Sequence, residues 1–375
     1  MINYHLQSRE VGTGVSYGAI ANNDHARNAV LQACQQLAPG STVGSVLLFL
    51  TSAYAHSPQQ AIKEAAIAAG TPQIFGCCAK GLLTEKEWLL DAEGAVAMAF
   101  PQEISMRALN VVQQQGINPK KILTLTTPNA ATIAVNTANI AQIGSITTDE
   151  YGHGPFAVWQ SGRIVEQEFS ISAFPNHLEQ VIKIADGIKR ISPIMQINRA
   201  EGHCLNEIGE QGAVANLLSN LPDNLQTIGL KEPYGLLCGV SENNDRASIE
   251  NGHYKLHHIV SSHNQKQQIH LSGSAKAGRF AFWAIRDQHY AQQTLKEQLL
   301  TARNELTSPP KFGIMFPNIG RGAEFFNGTD QDLELFKEVF PSVPLIGFYG
   351  NGEIAPGHKL SGLIHRYSTV FSLFA

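Results

Sequence analysis

Two stretches more than 250 residues apart repeat one pattern, and that repetition limits what this chain can fold into. "SVLLFLT" (45–51) is a continuous apolar run, the mark of a strand covered on both faces. Ser57-Pro58-Gln59-Gln60 then offers a capping residue, a proline at the first helical position and a glutamine placed for a capping box. Ile62, Ala65, Ala66 and Ala69 recur at helical spacing, Gly70 stops the helix, and "QIFGC" follows as a second strand. Near the other end, "KFGIMF" (311–316) reads as a strand, "NIGRGAEFFNG" (318–328) as a loop, "TDQDLELFKEVF" (329–340) as a helix and "PLIGFY" (344–349) as a strand. Both units run into a glycine-rich corner, Gly76–Gly81 in one and Gly347–Glu353 in the other. A degraded third copy lies at "KILTLTT" (121–127) and "AQIGSITTDEYGHG" (141–154), with a shorter helix between.

Internal duplication predicts an α/β protein of two related halves, with mixed β-sheets flanked by helices. On periodicity alone, chance likeness of two strand–helix–strand units is the alternative. The expected halves are 1–217 and 218–375, with the Pro-, Asn- and Gly-rich stretch 218–233 as hinge. Further strands are predicted at 94–100, 156–162, 165–174, 253–260 and 279–285. A long amphipathic helix is predicted at 295–306, carrying Leu295, Leu299, Ala302 and Leu306 on one side.

The length of 375 residues suits about two domains. Charged residues make up only 15%, against roughly 25% in an average soluble protein. A weakly charged surface is cheaper to desolvate, which suits a homo-oligomer or a partner as well as it suits a lineage-specific composition. Net charge is −4, with no basic run to release counterions from nucleic acid. No stretch of about 18 apolar residues and no signal-peptide core occurs, so a soluble, cytoplasmic protein without membrane contact is expected. The five cysteines form no C-x-x-C pair, so free thiols are expected.

The 347–353 corner is the most informative local feature. Gly347, Gly350 and Gly352 permit positive φ and let backbone amides approach an anionic group, while Glu353 can receive an amino or guanidinium group. An amino acid suits such a pair; a purely geometric turn with a solvated glutamate is the other reading. Arg321, on the loop after the 311–316 strand, either pairs a ligand carboxylate or forms a structural salt bridge, for instance with Glu353. Cys77 and Cys78 alternate on a strand, so at most one faces a pocket, and buried cysteines usually serve as small hydrophobes. Five of the fourteen histidines fall between His253 and His270, but they match no closed metal spacing. G-x-S-x-G, the P-loop and the dinucleotide fingerprint are absent, so no common α/β enzyme class is indicated.

"GRG" (320–322), "PLIGFYGNGEIAPG" (344–357) and "IHRYSTVFSLF" (364–374) resemble the C-terminal part of FIST (F-box and intracellular signal transduction) proteins. "GCCAKG" (76–81), the 185–218 segment and "AIRDQHYAQQTL" (284–295) extend the likeness over about residues 40 to 374. The sequence departs from the family pattern at Leu82, where the family often has glutamate, and at Pro317 and Asn318, where it often has cysteine. With no F-box before residue 40, a role as ubiquitin-ligase adaptor is not expected. The resemblance implies a cytoplasmic sensory domain that binds a small ligand, with amino acids proposed, and acts on a signalling protein such as a histidine kinase. The expected ligand-binding set is Gly76, Cys77, Cys78, Gly81, Asn318, Arg321, Gly322, Gly347, Phe348, Tyr349, Gly350, Asn351, Gly352 and Glu353, with no catalytic residue. Two alternatives stay open. One is a haem- or metal-binding nitric oxide sensor using His257 or His365, although no cofactor is predicted; the other is an enzyme using a pocket cysteine or Glu353.

Overall fold

Strands buried on both faces must be covered by helices or by another sheet, and here the three copies cover one another. The computed structural model describes residues 10–138, 140–226, 235–356 and 362–375. In the first copy β1 (Val43–Thr51) and β2 (Ile74–Ala79) lie parallel, joined by α1 (Gln59–Ala69). Gly70 closes α1 in the left-handed conformation, φ 66°. The expected Ser57 capping box does not form, because Pro58 already has helical backbone and occupies the cap position. Ser57 is instead held by the preceding turn, its N–H bonded to Tyr54 O. A short hairpin, β3 (Leu82–Thr84) and β4 (Trp88–Leu89), leads to β5 (Glu93–Pro101), which returns antiparallel beside β1.

The second copy repeats this order. β6 (Ile122–Thr126) and β7 (Gln142–Ile146) are parallel across the short helix α2 (Ala131–Asn136). The hairpin β8 (Val158–Gln160) and β9 (Arg163–Ile164) follows, and β10 (Phe169–Ala173) returns beside β6. The third copy has β11 (Phe312–Pro317), α3 (Gln331–Val339) and β12 (Leu345–Phe348). Its hairpin is β13 (Glu353–Pro356) and β14 (Gly362–His365), and its return strand is β15 (Ser368–Phe374). The degraded repeat at 121–154, the second copy in chain order, is therefore a full strand–helix–strand unit.

Each copy gives its hairpin away. β3 pairs with β12, β13 with β7, and β8 with β2, so the exchange closes a ring of three. Three mixed sheets result, each brought to six strands by one edge strand: Gly12–Gly18, Arg107–Ala108 or Gln180–Asp186. Equivalent positions from the copies meet in one core, where Phe49, Leu125 and Phe316 are buried together. Phe348 packs edge-on against Phe49 and Phe316, with ring centroids 4.9 Å from each. Such edge-to-face contacts stabilise beyond the area they bury.

These elements belong to one compact unit, which runs up to Asp186 and resumes over Gln292–Ala375. It includes most of the helix Gln288–Glu305, whose Leu295, Leu299 and Ala302 are buried as the spacing predicts. The second unit, Gly187–Ala291, is built on an antiparallel sheet. Strand Leu236–Ser241 pairs with both Tyr254–His263 and Phe280–Arg286, which closes this sheet on itself. Its interior holds Ile197, Leu205, Cys238 and Trp283, and the Trp283 indole donates to Asn216 Oδ1 at 2.8 Å. The sequence boundary expected at 217/218 falls inside the helix Ala213–Asn220 of this unit. Residues 227–233 of the expected hinge lie outside the described residues.

Candidate functional site

The three glycine-bearing strand ends converge at one end of the first unit. Gly76, Gly144 and Gly347 hold matching positions on β2, β7 and β12, opposite Leu48, Thr124 and Met315. A Cβ on any of them would lie 1.7–1.8 Å from the carbonyl oxygen of that neighbour. Close approach of two backbones therefore requires these glycines. Gly81 has a packing role too: its Cβ would meet Leu90 and Tyr349 side-chain atoms at 2.4 and 2.6 Å.

Main-chain bonds tie the corners together. Tyr349 N–H donates to Gly81 O at 3.0 Å, Asn351 N–H to Ile146 O at 3.0 Å, and Ile146 N–H to Gly352 O at 2.9 Å. Thr148 Oγ1 accepts from Lys80 N–H and donates to Tyr349 O. Gly350 N–H donates to Pro317 O. The amides expected to cradle an anion are thus already used within the protein.

Among the expected residues, Asn318 and Glu353 meet directly. Asn318 Nδ2 donates to Glu353 Oε1 at 2.9 Å, Gly352 N–H donates to the same oxygen at 3.3 Å, and Ser368 Oγ bonds Oε2 at 2.9 Å. Glu353 is completely buried, and burial pushes its carboxyl up to about 8 despite these donors. It is therefore mostly neutral at pH 7, with both donor and acceptor capacity. The ladders place Glu353 between Ser145 on β7 and His365 on β14, all three side chains on one face of the sheet. Burial lowers the His365 imidazole to about 4, and its Nε2 has no hydrogen-bond partner. Thr147, two residues beyond Ser145 and buried, also has an unpartnered hydroxyl.

Arg321 belongs to a separate cluster. Its guanidinium makes a two-pronged contact with Asp332, Nε to Oδ2 at 3.0 Å and Nη2 to Oδ1 at 2.8 Å, and a further bond to Ala185 O. Its partner is thus Asp332 rather than Glu353, because α3 carries that carboxylate beneath the loop. Thr369 Oγ1 completes the Asp332 shell. Tyr349 Oη donates to Asp330, the residue that caps α3 through Leu333 N–H. Burial and the neighbouring Asp332 push Asp330 up to about 6. Gly322 packs near Leu90, Phe348 is core, and Asn351 is exposed.

Cys77 and Cys78 point to opposite faces, as strand alternation requires. Cys77 enters the core shared by the three copies, and Cys78 the layer between β-strands and helices. Burial raises both thiols, which keeps them protonated. His257 lies on the second unit's sheet, its ring 2.1 Å from where a Gly273 Cβ would stand. Among the described residues no group of three or more His, Cys, Asp or Glu side chains is arranged to hold a metal ion. Sequence reasoning missed Gly144, Thr148, Ser368 and Asp332. Register within the second copy points to Gly144 and Thr148; Ser368 and Asp332 carry no local signal.

Residues 45–211 match the FIST N domain and residues 213–356 the FIST C domain. The chain belongs to the FIST family. FIST domains are sensor domains of signal transduction rather than a catalytic family. This FIST chain is 24% identical over 197 residues to the uncharacterized protein MT0656 of Mycobacterium tuberculosis, which is 51% of this chain and 50% of that protein. The chain spans about half the length of this relative. It is 19% identical to the uncharacterized protein Mb0898c of Mycobacterium bovis over 367 residues, 96% of this chain and 89% of that protein. Human F-box only protein 22 is similar over 98 residues at 32% identity, 22% of this chain and 23% of that protein. No helix among the described residues is long and apolar enough to cross a membrane.

Proposed function

We propose that this FIST chain is a cytoplasmic small-ligand sensor that passes occupancy to a signalling partner such as a histidine kinase, and that a ligand amino group is read at Glu353. One observation carries the reading: a fully buried, hydrogen-bonded Glu353 stands across the ladder from His365, whose Nε2 lacks a partner, as does the buried Thr147 hydroxyl two residues beyond Ser145. A buried polar atom left unsatisfied costs about 1–3 kcal/mol, which ligand atoms filling those positions would recover. A cationic amine beside Glu353 favours the carboxylate, so its binding releases a proton. Because the three corners are bonded to one another, a change at Glu353 reaches all three sheets.

The test is a thermal-shift screen of amino acids and small amines, followed by calorimetry in buffers of different ionisation enthalpy. A ligand at 100 times its dissociation constant adds about 2.7 kcal/mol of stability. Glu353→Gln should abolish both the shift and the proton release while keeping the fold. A cognate amine that shifts wild type and Glu353→Gln equally removes Glu353 from the site.

His365 supports a second reading, because a neutral imidazole with an open Nε2 can serve as an axial haem ligand. Reconstitution with haem separates the two readings. A Soret band lost in His365→Ala supports the haem sensor, and the absence of any band ends it.

A further inference from the structure

At the opposite end of the same unit, where β1 and β2 begin, lie two adjoining clefts of about 310 and 330 Å³. They share Gln102, Ser105 and Arg107, so Arg107 stands on the wall between them. The strand Arg107–Ala108 is an edge strand paired to β10, which fixes the backbone that carries the guanidinium. The first cleft is amphipathic. Its apolar surface comes from Val112, Ile117, Phe174 and Pro175, and Gln115 and Asn176 supply amides. The volume suits a small ligand, at the lower end of the range for small-molecule sites.

Cations gather around this cleft although the chain carries a net −4. The Arg107 guanidinium donates to Gln115 Oε1 at 3.5 Å. Lys121 donates to the backbone of Asn176, and Lys120 N–H binds the Asn176 side chain, which brings two more cations to that rim. Among the described residues none of the three has a carboxylate partner. Burial and Lys120 lower the Lys121 ammonium, as expected where like charges gather without a counter-ion. Glu103 is the one carboxylate in the lining and lies exposed, and His177 lines the cleft as well. Three cations against one carboxylate leave the cleft net positive, and a concave site with low-dielectric walls concentrates that field.

We infer that the Arg107 cleft binds a small organic anion, a carboxylate or phosphate ester on an aromatic or short aliphatic body. The guanidinium holds the anionic group in a bidentate contact, and the Val112–Ile117–Phe174 surface takes the body. This site is separate from the Glu353 corner and does not depend on the reading proposed for it.

Calorimetric titration of the full chain with phenyl phosphate, phenylacetate, inorganic phosphate and benzyl alcohol tests the inference. At least one of the two aromatic anions should bind more tightly than both benzyl alcohol and inorganic phosphate. Which anion wins identifies the headgroup. Arg107→Ala, at an exposed position, should weaken that binding about tenfold with an unchanged circular dichroism spectrum. Glu353→Gln should leave it unchanged. Equal affinity in wild type and Arg107→Ala overturns the inference, as does benzyl alcohol binding as well as the anions, or no binding of either anion up to roughly 10 mM.

Discussion

Glu353 faces His365 directly across the β13–β14 ladder, and burial drives the two in opposite directions, the acid to about 8 and the imidazole to about 4. Both are held neutral near pH 7, so the pair carries no ion pair. An acid raised from 4.5 to about 8 contributes its full share of stability below pH 4.5, and that share is lost as pH rises through 8. Over this window the folded state holds a proton that the unfolded chain releases. Glu353→Gln is permanently neutral. Urea denaturation from pH 5 to 9 should therefore show wild type falling and the variant staying flatter, the two curves parting by several kcal/mol at the alkaline end. Parallel curves would place the ionised form in the native state.

His365 works in the reverse sense. Its imidazole is depressed from 6.5 to about 4, so its contribution is present above 6.5 and is lost as pH falls toward 4. His365→Phe removes the group that must be protonated and should flatten the acid limb of the stability profile. Nuclear magnetic resonance of the ring gives a direct check, since the imidazole should stay neutral at pH 6. A ring that titrates near 6.5 would mean that it is solvated.

How much of this was legible depended on whether the signal was local. Gly70 and the paired apolar runs were readable because a left-handed cap and a two-sided strand each leave a mark within a few residues. The corners at Gly76 and Gly347 were readable for the same reason, but their purpose was not. The neighbouring carbonyl that excludes a Cβ belongs to a strand fixed only by tertiary pairing. The ring of exchanged hairpins left no trace in periodicity, since β3 finds β12 across more than 250 residues. Arg321 looked like a ligand-binding arginine because its partner Asp332 sits on the next helix, whose rotation about its axis the sequence does not state. Of the closed sheet within Gly187–Ala291 only the strands at 253–260 and 279–285 were legible, because closure rests on a single extra pairing, Leu236–Ser241 with Phe280–Arg286.

Arg321 and Asp332 form a buried ion pair with 1% and 0% side-chain exposure. Removing one member strands the other charge, which costs about 3–5 kcal/mol, whereas replacing both with apolar side chains of similar volume often restores stability. Arg321→Ala should lose that much in guanidinium denaturation, and Arg321→Met with Asp332→Leu should recover most of it. If Arg321→Ala instead unfolds like wild type, the guanidinium is not bound as described.

Buried thiols should be silent. Cys77, Cys78 and Cys238 are buried, and burial raises each thiol above its usual value; Cys34 is pushed up to about 11. Only the thiolate alkylates, so iodoacetamide should label Cys204 in the native protein well before the other four. Rapid native labelling of Cys77 or Cys78 would revive the cysteine-based enzyme reading.

Gly144 tests the threefold equivalence most sharply, since the repeat in which it lies is the least obvious in sequence. A Cβ there would sit 1.8 Å from Thr124 O, and one at Gly347 would sit 1.7 Å from Met315 O, in both cases backbone that cannot turn aside. Gly144→Ala and Gly347→Ala should therefore destabilise alike, by about 3 kcal/mol or more. Gly40 provides the contrast. Its φ of 85° strains any substitution, but nothing lies within 4 Å of a Cβ, so Gly40→Ala should cost about 1 kcal/mol. Equal losses at Gly40 and Gly144 would mean that backbone conformation, rather than the approach of β6 to β7, dictates glycine at the corner.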